Sequence, residues 1–166
     1  MSLRYLMQGT IVALAMAAVV LGGCARKIVH QPPPGAPGIG APRVSGSVTE
    51  QELQSVQTSL KAVHFDYDKF TMAPEAQAAA QYDAEILKRA PHVAVLIEGH
   101  CDERGTDEYN LALGERRARA VAEYLTSLGV QNRLSTVSYG SELPLDPGHN
   151  EAAWAQNRRA QLRVSQ

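Results

Sequence analysis

A run of prolines and glycines divides the chain and limits the part of it that can fold. Five of the nine prolines lie between positions 32 and 42, interleaved with three glycines. Aromatic residues are absent from this stretch, so it has too little apolar surface to offset the entropy lost on ordering. We therefore predict a disordered tether over residues 24–48. A lead-in segment at 49–61 and one folded domain at 62–166 are predicted to follow it.

The residues before the tether have the pattern of an export signal. Arg4 is the only charged residue before Cys24, and it precedes an uncharged apolar run of eleven residues at 11–21. A helix needs about 20 residues to cross a bilayer, so this run is too short to span one but suits the core of a signal peptide. Residues 1–23 are therefore predicted to be a signal peptide.

The end of this signal, Leu21-Gly22-Gly23-Cys24, resembles the bacterial lipobox. In proteins with a lipobox the cysteine thiol receives a diacylglycerol, the signal is cut before it, and the new amino terminus is acylated. The resemblance implies lipidation of Cys24; the alternative is an ordinary signal peptide followed by a chance cysteine. Several acyl chains would anchor the chain almost permanently, whereas one binds a membrane only marginally. Ala25, where an aspartate often marks retention in the inner membrane, favours the outer membrane, with the domain facing the periplasm.

Hydrophobic periodicity beyond the tether alternates between strands and helices. Thr49 and Glu52 have the form of a capping box and predict a short helix that runs to about residue 60. Pro74 in a first turn and Gly129 after a last turn delimit two longer helices. The order β-α-β-α-β-α-β predicts an α/β (α+β) sandwich with helices packed on one face of a mixed sheet. Its elements are expected at 62–65, 74–89, 93–98, 107–128, 134–139, 151–157 and 159–164.

Charge and cysteine content exclude some classes of partner. The formal net charge is −1, which gives no reason to expect nucleic acid or an acidic membrane surface as partner. If Cys24 is modified, Cys101 is left single and no internal disulfide can form. The neighbours of Cys101 suggest a partly buried thiol that could form an intermolecular disulfide in an oxidising compartment.

The second long helix carries a charged residue on its apolar face. Arg117 falls inside the predicted buried stripe, whereas Arg116 lies at its edge and Arg119 points away. A buried arginine costs several kcal/mol unless an anion pairs with it, and the candidates are Asp102 and the acids at 66 and 68. Two interpretations remain open: a structural ion pair between Arg117 and Asp102, or two separate groups that hold the carboxylate and ammonium of a zwitterion. The apolar members of the predicted stripe are Tyr109, Leu113, Ala120, Val121, Tyr124 and Leu128.

Six strings in collinear order resemble the OmpA-like peptidoglycan-binding domain and, within that family, the peptidoglycan-associated lipoproteins of the Tol–Pal system. They are Phe-Asp-Tyr-Asp at 65–68, Glu-Gly-His-Cys-Asp-Glu-Arg-Gly at 98–105, Tyr-Asn at 109–110, Leu-Gly-Glu-Arg-Arg-Ala at 113–118, Val-Ser-Tyr-Gly at 137–140 and Asn-Arg-Arg at 157–159. The resemblance covers about residues 62–166. It implies a protein that links the outer membrane to the cell wall, takes part in envelope integrity and cell division, and also binds the periplasmic propeller protein TolB on an overlapping surface.

The same resemblance implies which residues bind the wall. The ligand is the peptide stem of peptidoglycan, held non-covalently through its meso-diaminopimelate residue. Asp102 and Arg117 match the family's aspartate and arginine that hold the ammonium and the carboxylate of that residue. Six further positions are implied to line the pocket: Phe65, Asp66, Arg104, Thr106, Asn110 and Leu113.

The remaining polar residues give little support for an enzyme. His64 and the run His100-Cys101-Asp102 contain plausible zinc ligands, but three consecutive side chains at a strand end cannot all face one ion. Cys101 lacks a histidine placed to activate it, and Ser135 and Ser138 lie in a predicted strand with no catalytic motif around them. We therefore predict a binding protein without catalytic activity, metal or cofactor. A protein-interaction module stays open beside wall binding, and residues 157–159 are expected to stabilise the last strand.

The lipid anchor gives the first testable prediction. Cys24→Ala removes the thiol that would be acylated, so the variant should lack lipid and leave the outer membrane. Incorporation of labelled fatty acid and membrane fractionation against the wild type measure this directly. A variant that still sediments with the outer membrane would contradict the assignment.

Overall fold

The computed structural model describes residues 49–166, which form four helices and four strands. In chain order they are α1 Glu50–Ser59, β1 Val63–His64, α2 Pro74–Arg89, β2 Ala94–His100, α3 Asp107–Ser127, β3 Leu134–Gly140, α4 Glu151–Asn157 and β4 Arg159–Ser165. The predicted signal peptide and tether, with Cys24, lie outside the described residues. None of the described helices is long and apolar enough to cross a membrane.

The four strands form one mixed sheet in the order β1-β4-β2-β3. β4 pairs antiparallel with both β1 and β2, while β2 and β3 are parallel and α3 connects them. One face of the sheet packs against α2 and α3, and its core side chains include Val63, Val95, Ile97, Leu162, Leu87, Val121 and Leu125. This confirms the predicted mixed sheet covered by helices, with element ends that differ by one or two residues.

The lead-in helix α1 belongs to the same core. Thr49 caps it by accepting a hydrogen bond from the Glu52 N–H at 3.2 Å, while the Glu52 carboxylate lies 2.9 Å from His92. Val56 and Leu60 are buried in the core. Because β1 is only two residues long, most of β4 has one unpaired edge. The Gln57 side chain closes part of this edge: its amide donates to the Leu162 carbonyl and accepts from the Val164 N–H, both at 3.0 Å.

The buried face of α3 is turned relative to the prediction. Leu113, Arg117 and Val121 are buried as expected, but Tyr109 is 50% exposed and was wrongly placed in the stripe. Ala120, Tyr124 and Leu128 are only partly buried. The reason is a close contact with β2, because a Cβ added at Gly99 would lie 1.9 Å from the carbonyl oxygen of Gly114. The face centred on this contact is buried, and it also contains Asn110, Gly114, Ala118 and Leu125.

The contact between the two glycines predicts a stability effect. Gly99→Ala forces β2 and α3 apart, and Gly114→Ala places a methyl 2.2 Å from the Ser138 hydroxyl. Each should lower the free energy of unfolding by about 3 kcal/mol or more, at the upper end of overpacking effects. Gly129→Ala is the control: no atom lies within 4 Å and only its positive φ of 85° opposes a side chain. Its cost should be about 1–2 kcal/mol. If urea denaturation gave the three variants the same free energy of unfolding, the close contact between β2 and α3 would not be required.

Candidate functional site

A cavity of about 200 Å³ lies where β2 ends and α3 begins. Its wall comes from the loop after β1, the loop between β2 and α3, and the first three turns of α3. The lining residues are Tyr67, Asp68, Cys101, Asp102, Arg104, Gly105, Tyr109, Asn110, Leu113 and Arg117. Five of the predicted site residues are therefore brought together, namely Asp102, Arg104, Asn110, Leu113 and Arg117.

Backbone features at the end of β2 shape this cavity. The register with β3 shifts between Gly99 and His100, which redirects the chain at the end of the strand. Gly105 has a φ of 105°, a conformation that favours glycine. Thr106 then caps α3 by accepting from the Tyr109 N–H at 3.2 Å. The buried Asn110 amide donates to the carbonyls of the same loop, so the loop is fixed against the helix.

Arg117 is the deepest charged group of the cavity, with only 1% of its surface exposed. Its guanidinium donates to three backbone carbonyls: Nε to Lys69 at 2.8 Å, Nη1 to His100 at 2.9 Å and Nη2 to Asp66 at 3.1 Å. Burial lowers the pKa of Arg117, but an arginine stays ionised in proteins. None of the described carboxylates forms an ion pair with it. The cavity thus contains a buried cation that is solvated by carbonyls and neutralised by no anion.

Asp102 lies in the same cavity and is paired elsewhere. Arg104 grips its two oxygens at 2.6 and 3.1 Å, and Arg158 reaches Oδ2 at 3.2 Å. Burial opposes ionisation of Asp102, but the hydrogen bonds from Arg104 and Arg158 outweigh it and lower the pKa of the carboxyl. Asp102 and Arg117 are therefore not a structural ion pair. The geometry favours the second interpretation, in which two opposite charges line one hollow without contacting each other.

Arg104 forms the outer wall above Asp102. Its guanidinium lies between two aromatic rings, 4.0 Å from the centroid of Tyr67 and 4.2 Å from that of Trp154. Trp154 in turn donates from Nε1 to the Glu103 carboxylate at 2.8 Å. Stacked cation–π contacts of this kind stabilise an arginine by about 0.5–2 kcal/mol. Arg104 is the most exposed of the three arginines around this site, because 29% of its side chain is exposed, compared with 8% for Arg158.

Three predicted pocket residues lie outside the cavity. Thr106 acts as the helix cap, and the side chain of Asp66 pairs with Lys69 at 3.0 Å on the surface. The Phe65 ring lies 5.3 Å from the Arg117 guanidinium but faces a neighbouring groove. The Asp66 carbonyl still accepts a hydrogen bond from Arg117, so the backbone of this loop holds the arginine in position.

Sequence reasoning missed four contributors to the site. Tyr67 and Tyr109 line the cavity, and the Tyr109 hydroxyl donates to Asp68. The sequence suggests Asp68 only as an anion for Arg117, whereas the structure gives it a positive φ of 56° and pairs its carboxylate with Tyr109. Arg158, expected only to stabilise the last strand, binds Asp102, Glu151 and the Phe65 carbonyl. These contacts depend on loop conformation, for which the sequence contains no periodic signal.

Cys101 is buried, which corrects the expectation of a partly exposed thiol. It is 3% exposed, donates to the Asn110 carbonyl at 3.3 Å, and accepts from Arg117 at 3.4 Å. Burial raises the pKa of the thiol, so it is protonated and weakly nucleophilic at neutral pH. An intermolecular disulfide would require the cavity wall to open.

His100 behaves as a buried neutral side chain. It is 2% exposed and stacks on Tyr139 with ring centroids 5.6 Å apart, and neither ring nitrogen has a hydrogen-bond partner among the described residues. Burial, followed by the charges of Arg159 and Arg163, lowers the pKa of His100 from 6.5 to about 4. Within residues 49–166, no group of three histidine, cysteine or acidic side chains is arranged to hold a metal ion.

The shifted pKa of His100 predicts how stability depends on pH. Between pH 6.5 and about 4 the unfolded chain binds a proton at this position and the folded chain does not, so acidification favours unfolding. His100→Phe keeps an aromatic ring on Tyr139 and removes this titration. In urea denaturation at pH 7, 5.5 and 4.5, the wild type should lose more stability than the variant. Asp83, whose pKa burial raises to about 6, is common to both proteins and cancels in the difference. Parallel losses would contradict the buried neutral histidine.

Comparison with known proteins gives a consistent assignment. The OmpA family model matches residues 64–158. A peptidoglycan-associated lipoprotein of Pseudomonas aeruginosa is 43% identical over 164 residues, covering 93% of this chain and 96% of that protein. One from Agrobacterium fabrum is 40% identical over 152 residues, covering 90% and 84%.

Solved structures agree with this. The crystal structure of the peptidoglycan-associated lipoprotein from Burkholderia pseudomallei matches with a TM-score of 0.60 and 48% identity, over 63% of this chain and 90% of that one. The C-terminal domain of Helicobacter pylori MotB matches with a TM-score of 0.60 at 24% identity, over 64% and 85%, and shares the fold alone. The chain belongs to the OmpA family and, within it, to the peptidoglycan-associated lipoproteins.

Proposed function

We propose that this protein is an envelope lipoprotein whose domain binds peptidoglycan non-covalently through the diaminopimelate residue of the stem peptide. The observation that carries the proposal is the buried Arg117, which pairs with no carboxylate of residues 49–166 and lies in a cavity that also contains Asp102. The names of the relatives support the binding of peptidoglycan in general. The assignment to diaminopimelate rests on the geometry of the two charges and on the motif resemblance.

Arg117 suits the carboxylate end of such a ligand. A guanidinium has five N–H donors, of which backbone carbonyls and the Cys101 sulfur take four in Arg117, so one N–H on Nη2 remains for a carboxylate oxygen. The three carbonyls fix the orientation of the guanidinium, so little side-chain entropy remains to be lost on binding. A carboxylate in the cavity would also neutralise a charge that burial has made costly. The site therefore favours an anion at this position.

Asp102 suits the ammonium end. An ionised carboxylate accepts about four hydrogen bonds, and Asp102 already accepts four, three from Arg104 and one from Arg158. An ammonium would share this carboxylate with Arg158, which is buried, and compete with Arg104, which is more exposed. Arg104 is therefore the group that shifts when the ligand enters. A ligand that has a carboxylate but no ammonium would leave Arg104 in place and would bind more weakly.

The anchor and the partners complete the proposal. Acyl chains on Cys24 hold the protein in the outer membrane, and residues 24–48 allow the domain to reach the cell wall. Many weak contacts of this kind link the two layers reversibly, in the role of a Tol–Pal component. No catalytic step is involved.

Binding of TolB is a second function that one observation favours. Tyr67 and Tyr109 line the cavity with about half of their surface exposed, and aromatic side chains are enriched in protein interfaces. A protein that covers these rings would also cover the cavity. Wall binding and TolB binding would then exclude each other.

The test replaces each charged group by its closest neutral or less directional analogue. Asp102→Asn removes the charge that would hold the ammonium, and Arg117→Lys keeps the charge but loses the planar guanidinium with its fixed donors. Charge-assisted hydrogen bonds contribute roughly 1.5–3 kcal/mol each, so retention on purified sacculi should fall about tenfold or more. Arg117→Ala is less informative, because it also leaves three backbone carbonyls without a donor and should destabilise the fold.

The matched control is Glu108→Gln, an exposed acid in the first turn of α3 that does not line the cavity. It should be retained like the wild type. Circular dichroism and urea denaturation establish that each variant is folded at the assay temperature. Folded Asp102→Asn and Arg117→Lys proteins with undiminished retention would refute the site. Parallel pull-downs with purified TolB measure the second function separately.

A further inference from the structure

The domain itself supplies the donors that a ligand's ammonium would have to replace at Asp102. The Arg104 guanidinium donates to Oδ1 at 3.1 Å and to Oδ2 at 2.6 Å, while the Arg104 backbone N–H also reaches Oδ1, at 3.1 Å. Arg158 donates to Oδ2 at 3.2 Å. Because these bonds use the acceptor capacity of the carboxylate, an ammonium gains full hydrogen bonds to Asp102 only where a side-chain donor leaves.

Arg104 is the side chain that can leave at low cost. Arg158 is buried and also donates to the Phe65 carbonyl and to Glu151, so its displacement would break contacts beyond the cavity. A second carboxylate lies within reach of Arg104, since Oε2 of Glu151 is 3.7 Å from its Nη1. Glu151 is exposed and does not line the cavity. A guanidinium that moves from Asp102 toward Glu151 therefore stays close to a negative charge.

Two aromatic rings favour the position of Arg104 on Asp102. The guanidinium lies 4.0 Å from the centroid of Tyr67 and 4.2 Å from that of Trp154. Trp154 is held in turn by Glu103, which accepts from the indole Nε1 at 2.8 Å and contacts His149 at 2.6 Å. Each cation–π contact raises the free energy needed to move Arg104. The contact between Arg104 and Asp102 is thus stabilised from outside the cavity.

We propose that Arg104 is an internal competitor for the ammonium of the ligand and thereby sets the selectivity of the cavity. The inference rests on the proposed function and deepens it. Only the fraction of molecules in which the Arg104 side chain has left Asp102 binds an ammonium fully, so the apparent affinity is lower than the intrinsic affinity by that fraction. For a ligand without an ammonium, Arg104 acts in the opposite direction, because it neutralises a carboxylate that would repel the ligand.

A competitor and an ordinary pocket residue differ in the sign of their effects. The motif resemblance implies only that Arg104 lines the pocket, and loss of a residue that simply holds the ligand weakens every ligand with a carboxylate. Loss of a competitor strengthens the binding of a zwitterion, since Asp102 becomes available to the ammonium. The same loss weakens the binding of a dicarboxylate, since the cavity wall has one positive charge fewer.

The experiment compares two ligands with the same carbon skeleton. Free meso-diaminopimelate has an ammonium beside each carboxylate, whereas pimelate has the two carboxylates alone. Arg104→Met keeps a long side chain between the two rings and removes every donor, and Arg104→Lys keeps the charge without the planar guanidinium. In calorimetric titrations of the full-length proteins, Arg104→Met should bind diaminopimelate about tenfold more tightly than the wild type and pimelate about threefold more weakly. Arg104→Lys should lie between the two proteins.

The matched control is Arg119→Met, the same change at an exposed arginine of α3 that does not line the cavity. It should bind both ligands as the wild type does. Trp154→Phe protects the test against a folding defect in Arg104→Met, because it weakens one ring contact from outside the cavity. It should shift the two affinities in the same opposite directions, by smaller factors.

The outcomes separate the inference from the proposed function. If folded Arg104→Met binds diaminopimelate no more tightly than the wild type, or if both ligands change in the same direction, Arg104 is not a competitor and the proposed function stands. The same criterion applies to Trp154→Phe where Arg104→Met does not fold. A wild type that binds diaminopimelate no better than pimelate would overturn the proposed function and the inference with it.

Discussion

The buried guanidinium of Arg117 is the interaction on which the site and its surroundings depend. One side chain from α3 joins the carbonyls of Asp66 and Lys69 in the loop after β1 to that of His100 at the end of β2. Three segments distant in sequence thus converge on a single cation. Backbone dipoles replace the water around the charge but do not cancel it. The fold therefore keeps in the cavity wall a positive charge that pairs with no carboxylate of the part of the chain that the structure describes.

Asp102 illustrates a different solution to the same problem of burial. Two arginines from different loops neutralise it, and the outer one is stacked between Tyr67 and Trp154. The cavity is consequently asymmetric: its cation is fixed and unneutralised, whereas its anion is shared and partly shielded. A zwitterion would bind Arg117 directly, whereas its ammonium would have to displace Arg104 from Asp102.

Much of this could be predicted from the sequence where periodicity or a cap was involved. The strands and helices, the Thr49 cap and the position of Arg117 on the buried face all follow from local patterns. Tyr109 was wrongly assigned to the buried stripe because that prediction uses only the positions of apolar residues along the helix. The rotation of α3 is set instead by the contact of Gly99 with Gly114. Phe65, Tyr67, Asp68 and Arg158 could not be oriented, since loop geometry and long-range ion pairs leave no periodic trace. The motif resemblance identified Asp102 and Arg117 as two residues of one site. Only the structure shows that they do not form an ion pair with each other.

The short first strand has a consequence for the limits of the domain. The family match begins at residue 64, yet Val56 and Leu60 of α1 fill part of the core and Gln57 occupies hydrogen-bonding groups of β4. A fragment that begins at the family boundary would present β4 as a bare edge, and such edges recruit strands from other molecules. Self-association would be most acute where many copies are crowded on one surface. Helix α1 thus covers part of this edge, and a fragment that begins near Thr49 would keep it covered.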